Sequence, residues 1–452
     1  MRNIVTKTLC LLFLFSLSIS FQLKAEGVRP ADSKKVALNA FSYYSGKAPS
    51  ELRIVQEIPV SLRDTALLHI YNFEKGFIIV AADNAVEPIL GFGLNSKFDF
   101  EDMPPALQFL LESYQEEILY AKRQNIRSSQ EVNAKWNEHL SSNPSKTLYT
   151  PATWLISTKW NQSGGNESGS IVGYNYYCPT NAQGTKTLVG CGGVALAQIL
   201  RYWSCNVYPH GLVNYTSTMN SYSTSININL TGQSYDWISM HPNKANIYNA
   251  YFLYHCAAAL HSTFGTTAQG GTSSNPDTVH LILKNHFGFS NVTHVIRDNY
   301  SGDWIGLLKS NIDNRRPIFY AGYKKENDTL KNGHGWVVDG YNSSNYFHCN
   351  WGWGGGNVDW DGWYLLSNLT PNGKYYNDVH KATVNIYPTY HAYPSISLQN
   401  ITIPSNTYTG RNIRVENCTV QNNANVILKG NCAIEICGPF TVPLGATFQA
   451  TP

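Results

Sequence analysis

Charge is scarce in this 452-residue chain: 14% of its residues are Asp, Glu, Lys or Arg, and the formal net charge is only +3. With no basic cluster anywhere, the chain lacks the electrostatic footprint that a phosphate backbone demands, and nucleic acid is not expected as a partner. Long apolar runs are missing as well. The single exception, Leu9 to Ile19, has about eleven residues where a membrane span needs roughly twenty. Preceded by Arg2 and Lys7 and followed by Ala25 and Glu26, it reads as a secretory signal peptide covering residues 1–25, so the mature chain is expected outside the cytoplasm with no membrane span. Cys10 has no small residues before it, which argues against lipid attachment. None of the nine cysteines forms a Cys-x-x-Cys pair; a zinc site is not expected, and no metal or cofactor is called for. What the chain has instead is Tyr, Trp, Asn, Ser and Gly, a composition suited to a secreted, β-containing protein. Its length allows two to four domains.

One cysteine stands apart. In Gly190-Cys191-Gly192-Gly193-Val194-Ala195-Leu196-Ala197-Gln198-Ile199-Leu200-Arg201-Tyr202-Trp203, the residues Leu196, Ile199, Leu200 and Trp203 fall at helical spacing, which puts Cys191 in the first turn of a buried amphipathic helix. The partial positive charge of a helix N-terminus favours thiolate over thiol and makes the sulfur nucleophilic. A buried, inert core cysteine is the plainer reading of a lone Cys. A second stretch argues against it: Asn332-Gly333-His334-Gly335-Trp336-Val337-Val338, followed by Tyr346-Phe347-His348-Cys349-Asn350-Trp351-Gly352-Trp353-Gly354-Gly355-Gly356. His334 stands between two glycines at the start of a strand-like run, where an imidazole projects with little steric cover. It lies 143 residues (334 minus 191) after Cys191, the separation expected of a papain-type thiol protease, whose nucleophile and base meet in space. Asn350-Trp351 can return on the neighbouring strand and hold the ring through an amide hydrogen bond or an indole contact.

Together, VGCGGVALAQILRYW, NGHGWVVDGY and YFHCNWGWGGG resemble the streptopain family of secreted bacterial cysteine proteases in content, order and separation. The resemblance implies Cys191 as nucleophile and His334 as general base, with Asn350 and Trp351 as the Asn-Trp pair flanking the histidine. Lys159-Trp160-Asn161-Gln162 resembles the family's Trp-(Asn/Asp)-Gln signature, which implies Gln162 as an oxyanion donor beside the Cys191 N–H. Such an amide contributes about 3 to 4 kcal/mol to transition-state binding. A substrate-contacting serine of the family matches Ser273 in the Gly- and Ser-rich loop 265–276, and Gly333 is expected to offer backbone contacts to an extended peptide.

The expected organisation is α+β throughout. A signal peptide (1–25) precedes an α+β N-terminal unit with linker (26–147), a papain-like catalytic domain (148–388) and a small all-β C-terminal module (389–452). In the N-terminal unit, Leu67 to Phe73 and Phe77 to Ala82 read as strands, and Pro105 to Tyr120 as a helix with Leu107, Leu110, Leu111, Tyr114 and Ile118 on one side. Gly76-Phe77-Ile78-Ile79-Val80-Ala81-Ala82-Asp83 and Pro88-Ile89-Leu90-Gly91-Phe92-Gly93 resemble the streptopain-type prodomain, which implies an intramolecular inhibitor removed by proteolysis. Polar, aperiodic residues 122–146 offer the place for release. Farther on, Ala245 to His261 reads as a helix turning Ile247, Tyr251, Tyr254, Ala258 and Leu260 inward, and Asp277 to His286 as another. After residue 389, short alternating segments separated by Asn and Gly suggest coils of a β-helix or part of a sandwich.

These readings converge on a secreted, cell-surface or periplasmic bacterial cysteine endopeptidase made as a zymogen, with protein or peptide substrates. The resemblance adds an apolar preference two residues before the cleaved bond. Two rivals share the evidence: a Cys-His amidase or transpeptidase acting on cell-wall peptides, and a catalytically silent surface-binding protein.

Overall fold

Pro30 in the first turn and Gly46 at φ +69 just past the last turn delimit helix α1 (Pro30–Ser45), which buries Val36, Ala37, Ala40 and Phe41. The computed structural model that contains it describes residues 27–101, 103–141, 153–164, 172–326, 329–354, 359–367, 369, 378–388 and 396–451. The expected signal peptide lies outside the described residues, as do residues 142–146 of the region expected to be cut, residues 147–152 after it, and Gly355 and Gly356 of the third motif.

After α1 comes an antiparallel meander of β1 (Ile54–Leu62), β2 (Thr65–Phe73), β3 (Phe77–Ala81) and β4 (Ile89–Gly93). Strands β3 and β4 are buried along their whole length, which is why Phe77–Ala81 reads as an unbroken apolar run instead of alternating. Helix α2 (Pro105–Arg123) buries Leu107, Leu110, Leu111, Tyr114 and Ile118, the face its spacing predicts. Helix α3 (Gln130–Leu140) corrects the reading of residues 122–146 as aperiodic. Ser129 caps it by accepting the Val132 N–H at 3.1 Å, and two buried residues one turn apart, Val132 and Trp136, suffice to seat it beside α1. Trp136 also donates its indole N–H to the Val86 carbonyl at 2.8 Å.

The central region opens on α4 (Cys191–Trp203), followed by a hairpin of β5 (Leu212–Met219) and β6 (Tyr222–Asn229), then α5 (Ile247–Ala259) and α6 (Val279–Phe287). Asn246 caps α5, accepting from the Tyr248 and Asn249 amides. The expected inward face of this helix is partly wrong: Ile247 is 45% exposed, and Phe252, Leu253, Cys256 and Ala257 fill the core. An almost continuously apolar helix gives periodicity little to discriminate. Next come β7 (Thr293–Ile296), α7 (Trp304–Asp313), β8 (Ile318–Glu326), β9 (Thr329–Tyr341), β10 (Tyr346–Asn350), β11 (Gly362–Leu365) and β12 (Asp378–Val384).

These strands join the N-terminal meander in one ten-stranded sheet, ordered β1-β2-β3-β4-β11-β10-β9-β8-β12-β7. The seam is β4 against β11, where Gly91 faces Tyr364 and Phe92 faces Trp363. Alternation along the central strands feeds two cores. Tyr320, Trp336 and Val338 join the core shared with α1 and α2, whereas Phe319, Ala321 and Val337 join the core around α4 and α5.

The C-terminal region is β13 (Ile396–Gln399), β14 (Thr402–Ile403), β15 (Asn406–Val420), β16 (Asn425–Thr441) and β17 (Thr447–Thr451), paired in parallel. Parallel pairing of successive strands joined by short Asn- and Gly-containing bends makes coils of a β-helix and rules out the sandwich. Its own small core holds Leu398, Ile413, Val415, Val420, Val426 and Leu428. Cys432 in β16 is disulfide-bonded, whereas Cys178, Cys191, Cys256, Cys349, Cys418 and Cys437 are free.

Candidate active site

Cys191 is the first residue of α4, as its sequence dictates. Gly190 precedes it at φ +87 and ψ 146, a conformation essentially restricted to glycine, and a Cβ there would meet Thr272 at 3.0 Å. The turn thus aims the sulfur off the helix end. Thr272 and Ser274 bring the loop 270–275 against this turn: a Cβ on Gly192 would meet Ser274 Oγ at 2.6 Å. Ser273 is exposed and pairs through its backbone with Thr263.

Strand β9 crosses beside the nucleophile. The N–H of Gly335 points at Cys191 Sγ, 3.4 Å away, and a Cβ on Gly335 would lie 3.5 Å from Gly192 Cα and 2.9 Å from the Phe319 ring. His334, the neighbouring residue, faces the other way. It pairs with Gly322 in β8, and a Cβ on Gly322 would run into Phe109 of α2. Among the described residues no hydrogen bond joins the imidazole to Cys191. The chain therefore brings the two backbones together and sets their side chains on opposite faces of β9. Gly333, on the Cys191 face, is exposed at the rim with the Tyr323 ring packed over it.

Both groups are held in their neutral forms. Burial pushes the Cys191 thiol up from its ordinary value, against the opposing effect of the Gly335, Gly192 and Cys191 amides. The helix N-terminus alone was expected to favour thiolate; the covering of the sulfur outweighs it. Burial likewise pushes His334 down to about 4, with Glu112 of α2 pulling weakly the other way. Helix α2 lies over this face. Besides Phe109, Glu112 and Glu116 pair with Lys324 of β8, Ser113 donates to Asp378, and Glu117 accepts the Leu369 N–H at 2.8 Å.

Gln162 is 7% exposed, and its carbonyl accepts the N–H of Val189, two residues before Cys191, which sets it beside the nucleophile turn. Asn350, at the end of β10, is 2% exposed. Its carboxamide is bonded to Gln198, the Thr158 carbonyl and the Gly352 N–H, and among the described contacts none is to His334. Trp351 is buried, 5.3 Å from the Trp336 ring, donating to the Trp360 carbonyl at 3.0 Å. Cys349 is fully buried.

Some participants carried no signal in the sequence. Asp339 accepts the Ile156 N–H at 2.7 Å and pairs with His348 at 2.6 Å, and Trp154 stacks on His348 at 4.7 Å. This cluster fastens residues 154–156, the start of the segment that leads to Gln162, onto β9 and β10. Burial opposes the charge on His348, but Asp339 and the more distant Asp361 and Asp359 raise its pKa overall. An aspartate followed nine residues later by a histidine belongs to no recognisable pattern; only the β9–β10 pairing makes them neighbours. No group of three or more metal-ligating side chains occurs among the described residues, and none of their helices is long and apolar enough to cross a membrane.

Residues 169–364 match the Peptidase C10 family and residues 25–118 match the Spi protease inhibitor family. Streptopain of Streptococcus pyogenes is 26% identical over 331 residues, covering 68% of this chain and 75% of that protein. The thiol protease/hemagglutinin PrtT of Porphyromonas gingivalis is 24% identical over 367 residues, 76% of this chain and 39% of that one. A cysteine-to-alanine mutant fragment of Prevotella intermedia prointerpain A superposes with a TM-score of 0.57 at 22% identity, covering 74% of this chain and 99% of the fragment. The shared fold is the α+β, papain-like arrangement expected from the sequence. Residues 169–364 thus make up a peptidase C10 domain and residues 25–118 a Spi-type inhibitor domain, and the chain is a streptopain-like cysteine peptidase zymogen.

Proposed function

We propose that Cys191 is the nucleophile and His334 the general base of a secreted endopeptidase, and that the structure represents its latent state. The observation that carries the reading is the Gly335 N–H at 3.4 Å from Cys191 Sγ, which fixes the residue next to His334 against the sulfur. Helix α2 occupies the face of β9 to which the imidazole is turned. Once α2 leaves, His334 is free to turn to the sulfur on its flanking glycines, and the thiol loses the burial that keeps it protonated.

In the active form the Cys191 thiolate attacks the scissile carbonyl, forming a carbon–sulfur bond. Gln162 and the Cys191 N–H receive the oxyanion, and protonated His334 gives its proton to the departing amine. Water, deprotonated by the same imidazole, then releases the acyl group. Gly333 and Ser273, exposed on either side of the sulfur, are suited to hold an extended peptide, with an apolar side chain two residues before the cleaved bond. Trp351 supports β9 from beneath through Trp336. The unit boundaries we assign are a signal peptide over 1–25, the inhibitor domain with its linker to 147, the catalytic domain to 388 and the β-helical module beyond.

The test is maturation. Purified full-length chain, incubated with and without Cys191→Ala, should yield a trimmed fragment that degrades casein only in the wild type. Wild-type precursor that gives no casein-degrading fragment, or purified peptidoglycan hydrolysed in place of casein, would overturn the endopeptidase reading.

A further inference from the structure

We propose that Gln198 is a positioning residue. It locks the nucleophile helix, the segment carrying Gln162 and the Asn350 strand end into one hydrogen-bonded unit, so that Asn350 serves the oxyanion side of the site and not the imidazole. This rests on the roles proposed for Cys191 and Gln162.

Gln198 is fully buried in a helix whose other buried residues are Gly192, Gly193, Val194, Ala195, Leu196, Ala197, Ile199 and Leu200. A primary amide in such surroundings is costly unless its hydrogen bonds are made. Here they converge on two other parts of the site. Its Nε2 donates to Asn350 Oδ1 at 2.8 Å, and its Oε1 accepts from the Trp160 N–H at 3.1 Å and from Asn350 Nδ2 at 3.4 Å. The two carboxamides thus face each other in a cyclic pair. Asn350 completes its own capacity with the Thr158 carbonyl at 2.8 Å and the Gly352 N–H at 3.1 Å. Both its donors and both its acceptor positions are taken, leaving nothing for His334.

Placement gives the pair its consequence. Gln198 lies seven residues, two helical turns, beyond Cys191, so the two share a helix face about 10 Å apart. Thr158 and Trp160, held by Asn350 and Gln198, stand immediately before Gln162. The same segment is bonded further to the strand end, the Gly354 N–H to the Trp160 carbonyl at 3.1 Å and Asn161 Nδ2 to the Gly354 carbonyl at 3.0 Å. The sulfur and the oxyanion amide are therefore registered to each other through Gln198.

The experiment uses mature enzyme cut from the full chain by wild-type protease, comparing Gln198→Leu, Gln198→Glu, Gln162→Ala and the Gln198→Leu/Gln162→Ala double variant. We expect Gln198→Leu to lower kcat on a peptide amide by about 100-fold through misplacement of the oxyanion donor, with KM and the pH profile of Cys191 alkylation by iodoacetamide unchanged. Its loss and that of Gln162→Ala should not multiply. Gln198→Glu should recover activity as pH falls, because a protonated carboxyl accepts from Trp160 and donates to Asn350 as the amide does. Multiplying losses, a shifted alkylation profile, full activity in Gln198→Leu, or a Gln198→Glu defect indifferent to pH would each overturn the proposal. An inert Gln162→Ala would instead overturn the role given to Gln162 itself.

Discussion

Gly190 carries more of the site than its size suggests. At φ +87 and ψ 146 it occupies backbone that side-chain-bearing residues avoid, and a methyl group there would press on Thr272 at 3.0 Å. Gly190→Ala is expected to destabilise the protein by about 1–3 kcal/mol and to reduce activity in step, because relief of the strain re-aims the first turn of α4. Urea unfolding of the Cys191→Ala precursor, with and without the change, measures it; equal midpoints would show that the turn absorbs a side chain freely. At this scale the sequence was legible where chemistry restricts residue type. A cysteine after glycine, a histidine between glycines and an Asn-Trp pair stand out as residues whatever their surroundings. Gln198, Asp339 and His348 did not, because their meaning lies in partners 152, 183 and nine residues away. The one available hint was an amide at the seventh position after Cys191, on the face of α4 that periodicity turns inward.

Helix α2 packs over the face of β8 and β9 to which His334 is turned, and its inner face has an acid where water is excluded. Burial raises Glu117 to about 8, with Asp378 adding to the rise and the Leu369 N–H and Arg297 opposing it. A carboxyl whose pKa is raised on folding is fully accommodated below its unfolded value near 4.5, and the penalty of ionising it grows until pH passes about 8. The precursor should accordingly lose stability from roughly pH 5 to pH 8, by up to a few kcal/mol in the absence of relaxation. Thermal unfolding of the Cys191→Ala precursor across this range should show the decline, and Glu117→Gln should flatten it. A decline of the same size in both would place its origin elsewhere. The half-buried Lys324 pairs with Glu112 and Glu116, still reached by solvent, contribute little by comparison, about 0–1 kcal/mol each. Helix α2, with one strongly apolar face, was legible from spacing, and β3 from its unbroken apolar run. Helix α3 was not, since only Val132 and Trp136 anchor it, and α5 was misoriented because nearly every side of it is apolar.

On the scale of the whole molecule, the boundary between inhibitor and catalytic domain is no gap in the structure: their strands share one sheet. Local patterning cannot reveal that β4 pairs with β11, because the partners are separated by some 270 residues of sequence and neither strand encodes its neighbour. The seam has a testable result. After the linker is cut, the two pieces should stay together through backbone pairing and the aromatic packing of Phe92, Tyr346 and Trp363. A precursor carrying Cys191→Ala, nicked in trans, should elute from gel filtration as one species, and immediate separation would contradict the continuous sheet. The parallel C-terminal coils, with a core of their own, were half legible: alternation announced strands, whereas their direction of pairing did not show.

Stripped of β4, strand β11 is left as a bare rim, with the backbone hydrogen-bonding groups around Trp363 and Tyr364 that paired with Gly91 and Phe92 turned toward solvent. Maturation on this scaffold is an unzipping, and whatever extended chain next settles on that rim competes for the place the discarded fragment held. On the proposed latent reading, a cut fragment still paired along that rim would keep the cleft covered, and destruction of the inhibitor, not the first cut, would set the moment of release.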